Sequence, residues 1–144
     1  IVGFPGESEE EFATSCEFVT RMAFARLHVF PYSMRPGTPA AAMPDQVPHT
    51  VKKARAKQMA AIGRRMATQF QRAFVGQTLE VLWEHRRNAA RGCTWSGLTD
   101  NYIRVTTTSE EDLTNTLLPT RLIAVTSAGM RGVPLVVRQI HQQQ

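Results

Sequence analysis

Apolar positions in the first thirty residues fall into two kinds of run. Residues 1–4 are a short apolar stretch ended by Pro5-Gly6. That pair suits a type II turn, in which proline presets the first central φ and glycine supplies the positive second one. Ser8 predicts a helix N-cap, with Glu11 three residues on completing a capping box and Glu9 and Glu10 complementing the positive end of the helix dipole. Phe12, Cys16, Val19 and Ala23 then recur at i, i+4, i+7 and i+11, one helical face. Residues 27–30 return as a second buried strand, and the whole span matches the ~30 residues of a parallel β-α-β unit.

The pattern changes twice more. Residues 31–48 hold five of the eight prolines, which fix φ and predict an extended, semi-rigid loop. Residues 50–74 read as one long helix with Met59, Ile62, Met66, Phe70 and Phe74 at spacings of 3 or 4. From Val75 onward the period falls to 2: Leu79, Val81 and Trp83 alternate with Thr78, Glu80 and Glu84. Residues 102–106, 121–125 and 134–137 are further short strand candidates and 94–97 a weaker one. Gly92, Asp100-Asn101 and residues 129–132 punctuate them, as a small antiparallel barrel requires.

Charge divides the chain along the same lines. Of 17 basic and 12 acidic residues, positions 1–45 hold six acids and three bases, 46–79 seven bases and no acid, and 80–144 seven bases and six acids. Solvated helices usually mix signs, so the acid-free block predicts an anionic partner. The three glutamates of the first helical turn, Glu9, Glu10 and Glu11, argue against reading residues 3–6 as a phosphate loop. No apolar run approaches the ~20 residues needed to span a bilayer, and two cysteines give no disulfide framework, which fits a soluble cytoplasmic setting. Cys16, on the apolar stripe, and Cys93, in a strand-like segment, read as small buried hydrophobes.

Three segments together resemble a known family: residues 27–40 (LHVFPYSMRPGTPA), 1–7 (IVGFPGE) and 99–102 (TDNY). They are similar to the C-terminal part of the radical-SAM methylthiotransferases, and the likeness runs from Ile1 to about Val137. It implies a C-terminal piece of a radical-SAM β/α barrel with its linking helix over residues 1–74. A small antiparallel OB-like barrel, the TRAM domain, would follow over 75–138, with 139–144 as a disordered polar tail. The wording is most like the branch that adds a methylthio group to C2 of threonylcarbamoyl-adenosine beside the tRNA anticodon. The isopentenyl-adenosine and ribosomal-protein branches are the enzymatic alternatives, and a non-catalytic RNA-binding module is the alternative of another class.

The resemblance also implies cofactors and partners: S-adenosylmethionine, two 4Fe-4S clusters and the tRNA anticodon stem-loop. Two distant cysteines cannot supply three closely spaced thiolates, so cluster ligands are expected in an upstream half of the same enzyme and the present chain alone is expected to be inactive. By the same resemblance Phe30, Pro31 and Tyr32 would lie beside the adenine or ribose of S-adenosylmethionine, and Arg35 would reach toward substrate RNA or the cluster edge. From the residues themselves, Lys52, Lys53, Lys57 and Arg64 on the basic helix and Arg86, Arg87, Arg91 and Arg104 in the barrel are candidate phosphate contacts, with Trp95 and Tyr102 as base-stacking partners. Trp83, on the alternating face with Leu79 and Val81, is expected in the core, and His28 in a satisfied core or interface hydrogen bond.

Overall fold

A computed structural model describes residues 1–88 and 93–135, in two compact units, Ile1–Phe70 and Gln71 onward. The proposed tail, Arg91 and positions 136–137 lie outside the described residues.

In the first unit the capping box forms as the sequence requires. Ser8 Oγ accepts from the Glu11 amide and Glu11 Oε2 from the Ser8 amide, and α1 runs over Glu9–Met22. The Pro5-Gly6 turn closes through a bond from the Glu7 amide to the Phe4 carbonyl, with Gly6 at φ 84°. The helix stops one residue sooner than its stripe suggested, because Ala23 takes the left-handed cap position at φ 52°.

The two flanking strands are shorter than expected. They meet as one parallel bridge, Val2 with Pro31, held by Val2 N–H to Phe30 O and Tyr32 N–H to Val2 O. Gly3, at φ 71°, turns the chain immediately afterwards and ends the ladder. His28 is exposed, which excludes the core half of its expected core or interface role. The proline loop contains a short helix, α2 (Pro39–Ala42), where an extended chain was expected; Pro39 occupies its first turn, where a missing N–H costs nothing.

The long helix α3 covers His49–Arg72. Its Met59, Ile62 and Met66 pack with Val2, Phe12 and Cys16 of α1 and the bridge into one core, bordered by Leu27 and Val29.

The second unit is a closed barrel of five strands: β1 (Thr78–Asn88), β2 (Cys93–Thr99), β3 (Arg104–Ser109), β4 (Thr116–Thr126) and β5 (Gly129–Pro134), in the order β1-β2-β3-β5-β4. This is the topology of an OB-like barrel. It is not wholly antiparallel. A ring of five strands cannot alternate direction throughout, and the exception is β3 with β5, parallel at Val105–Met130 and Thr106–Arg131.

The segment 129–132, read from sequence as punctuation, is itself the closing strand. Its glycines are there for proximity: a Cβ on Gly129 would collide with the Arg104 carbonyl, and one on Gly132 with Thr120 and Val105. The weak candidate 94–97 is a full strand, whereas 102–103 belong to the turn before β3. Trp83, Trp95, Leu122, Met130, Val81 and Val105 fill the interior.

Candidate functional site

Phe30, Pro31, Tyr32 and Arg35 come together in the first unit. With Ile1 and Ser33 they line a cleft of about 490 Å³, a size suited to a nucleoside-scale ligand. The single bridge sets the geometry. By accepting from Tyr32 and donating to Phe30, Val2 fixes the backbone on either side of Pro31. The Phe30 ring is left 62% exposed at the cleft.

Tyr32 stands edge-on to Phe4, with ring centroids 5.4 Å apart, and the Lys52 ammonium lies 5.3 Å from its ring centroid. The Tyr32 hydroxyl oxygen is buried and has no hydrogen-bond partner. Phe30, Tyr32 and Arg35 thus give the cleft two aromatic side chains and one cation.

The turn after Val2 is fastened from α3. Glu7 Oε2 accepts from the Gly3 amide at 2.6 Å and from Arg55 Nη1 at 2.7 Å, and Arg55 Nη2 reaches Glu9 Oε1 at 2.7 Å. Burial works against the charge on Arg55, but its bonds to Glu9 and Glu7 outweigh this and leave its pKa above the ordinary arginine value. Arg55 is therefore withdrawn from the positive block that sequence reading had treated as one. No local signal announced this, since its partners lie more than forty positions away. Cys16 is buried beside this network; burial first, and the charge of Glu7 second, push its thiol pKa up, as suits an inert core residue.

What remains of the basic helix is ordered by angle. At ~100° per residue, Lys53, Lys57 and Arg64 fall within about 40° of arc, and all three are exposed on the side opposite buried Met59, Ile62 and Met66. Lys52 lies about 100° away from that stripe, half-buried on the flank of the packed face.

In the barrel, Arg86, Arg87 and Arg104 are exposed on β1 and β3. Tyr102 is 76% exposed at φ 62°, at the turn between β2 and β3. Its amide donates to the Thr99 carbonyl, and the Thr99 hydroxyl accepts from the Ile103 amide, so the exposed ring sits on a braced turn.

Trp95 does not stand on the surface as a stacking partner would. It is 1% exposed, because its place on β2 points inward with Gly97 and Thr99. Arg86 covers its ring, with the guanidinium 5.9 Å from the centroid, and also donates to Cys93 Sγ at 3.0 Å. Trp83, with 0% exposure, is in the core as its alternation indicated.

Among the described residues no group of three His, Cys, Asp or Glu side chains is arranged to hold a metal ion. No helix among them is long and apolar enough to cross a membrane.

No protein-family model matches the chain. Curated proteins do. The threonylcarbamoyladenosine tRNA methylthiotransferase MtaB of Bacillus subtilis (strain 168) is 37% identical over 124 residues, 85% of this chain and 28% of that protein. The tRNA-2-methylthio-N(6)-dimethylallyladenosine synthase of Akkermansia muciniphila is 39% identical over 136 residues, 93% of this chain and 29% of its own. The ribosomal protein uS12 methylthiotransferase RimO of Anaeromyxobacter sp. (strain Fw109-5) is 49% identical over 86 residues, 60% of this chain and 18% of its own. The chain thus spans less than a third of the length of these relatives.

Proposed function

This chain belongs to the radical-SAM methylthiotransferase family, and we propose that it serves as the cofactor-edge and RNA-binding part of a tRNA-modifying enzyme. Residues 1–74 are the C-terminal end of the radical-SAM β/α barrel with its linking helix. Residues 75–138 are the TRAM domain. The substrate is a threonylcarbamoyl-adenosine beside the anticodon, and the product carries a methylthio group at C2. The setting is cytoplasmic, where the tRNA is.

The observation that supports this most is the cleft at the end of the Val2–Pro31 bridge. Phe30, Pro31, Tyr32, Ser33 and Arg35 of the family-like segment 27–40 line it. Strand ends are where a β/α barrel places its chemistry. S-adenosylmethionine supplies radical initiation and the methyl group when it is bound with the iron-sulfur clusters. This chain's part is to bind and orient. Phe30 and Tyr32 offer aromatic rings and Arg35 a cation, while Lys53, Lys57, Arg64, Arg86, Arg87, Arg104 and Tyr102 offer phosphate and base contacts.

The test is mass spectrometry, of nucleosides from the tRNAs and of peptides from the ribosomal protein. The enzyme carrying this chain is supplied with tRNA bearing threonylcarbamoyl-adenosine, with tRNA bearing isopentenyl-adenosine, or with ribosomal protein uS12. The first substrate alone should gain a methylthio group. Modification of either of the others instead would move the protein to that branch. The 144-residue chain alone, reconstituted anaerobically with iron and sulfide, should release no 5′-deoxyadenosine from S-adenosylmethionine.

A further inference from the structure

The charge of Lys52 places it with the RNA-contacting lysines of α3, but its surroundings do not. Its neighbour Lys53 opens the exposed stripe continued by Lys57 and Arg64, while Lys52 is half-buried on the packed flank of the helix. Two contacts define it. Its stem crosses so close to Gly3 that a Cβ at that position would collide with Lys52 Cγ. Its ammonium then sits 5.3 Å from the Tyr32 ring centroid, within the range of a cation–π attraction. Among the described residues no carboxylate lies within ion-pair distance of it.

One helical turn on, Arg55 holds Glu7, and Glu7 holds the Gly3 amide. Two cations at i and i+3 of α3 therefore each hold a part of the chain next to the bridge: Arg55 the turn after Val2, Lys52 the ring of Tyr32.

We propose that Lys52 is a positioning residue for the cleft. It holds the Tyr32 ring in the wall of the cleft, where that ring meets the adenosyl ligand, and it makes no phosphate contact with RNA. This rests on the reading of the cleft as the S-adenosylmethionine site. The glycine at position 3 follows from the same arrangement: φ 71° admits glycine readily, and the lysine stem occupies the space a side chain would need.

The experiment uses the intact enzyme carrying this chain and two binding readouts. One is the dissociation constant for S-adenosylhomocysteine, the other the slope of log affinity for tRNA against log salt. K52Q should weaken S-adenosylhomocysteine roughly five-fold, the scale of a partly desolvated cation–π contact, while the tRNA slope stays as in the wild type. K52R, which keeps a cation over the ring, should recover most of the lost affinity. K53Q should do the reverse, leaving S-adenosylhomocysteine alone and flattening the tRNA slope by about 0.7 to 0.9, the value of one phosphate.

If the wild type binds S-adenosylhomocysteine and K52Q binds it equally well while losing a phosphate's worth of slope, Lys52 is an RNA contact and the proposal falls, with the cleft reading intact. If the wild type does not bind it at all, the cleft reading falls and takes the proposal with it.

Discussion

Arg55 grips Glu7 twice through one nitrogen: Nη1 donates to the Glu7 carbonyl at 2.8 Å and to its Oε2 at 2.7 Å. The side chains are 6% and 15% exposed, so the pair is largely out of water, and the same guanidinium lies 5.3 Å from the Phe12 ring centroid. Removing one partner of such a pair leaves the other charge buried and uncompensated. R55M, which roughly keeps the apolar volume, should therefore destabilise the helical unit by about 3 kcal/mol. Loss of helical circular dichroism in urea reads it. A shift below 1 kcal/mol would mean that the pair contributes no more than a surface salt bridge.

Acid should loosen the start of α1. The bond from the Ser8 backbone amide, then the one shared with its hydroxyl, hold the Glu11 carboxyl below its ordinary pKa. A group whose folded pKa is lowered contributes stability above its unfolded value and loses it as pH falls through the folded one. Amide exchange at the first turn of α1 should accelerate through that acid window in the wild type. In E11Q it should be faster at neutral pH and lack that acid step. An identical acid profile in both proteins would show that the capping box is not its source.

Tyr102 and Trp95 should separate cleanly despite their equal standing as aromatics. Y102A should weaken tRNA binding by about 1 to 3 kcal/mol at every salt concentration, since stacking releases no counterions. It should leave barrel stability close to the wild type. W95A should cost about 3 to 5 kcal/mol of barrel stability, as a large-to-small change in a packed core does. W95F, which removes an indole N–H that has no partner, should bind tRNA normally. Weakened binding by a folded W95F would return Trp95 to the interface.

The contrast between these two residues shows what sequence made legible. Local rules were followed where neighbours decide: Ser8 caps, Pro5-Gly6 turns, and Met59, Ile62 and Met66 face inward. Period 2 located the barrel. It did not locate the inward face of β2, because Trp95 alternates with Thr94 and Ser96 in a strand whose two sides differ little in polarity.

Other features depended on distant chain. Whether Arg55 was free and whether 129–132 was a turn or a closing strand were settled by Glu7 and Arg104 respectively, and Lys52 is drawn to the ring of Tyr32, twenty positions earlier. The cleft residues Phe30, Pro31, Tyr32 and Arg35 were found through family likeness rather than through any physical signal in their order.

RNA binding through the exposed side of α3 is tested most directly by salt. For roughly five phosphate contacts, log affinity of the 144-residue chain for tRNA should fall against log salt with a slope of about −3.5 to −4.5. Replacing the stripe with K53Q, K57Q and R64Q together should flatten that slope by about 2 to 2.7, at ~0.7 to ~0.9 per contact, without altering the order of preference among tRNAs. A triple variant that kept the wild-type slope would make the stripe an ordinary solvated face and contradict the account.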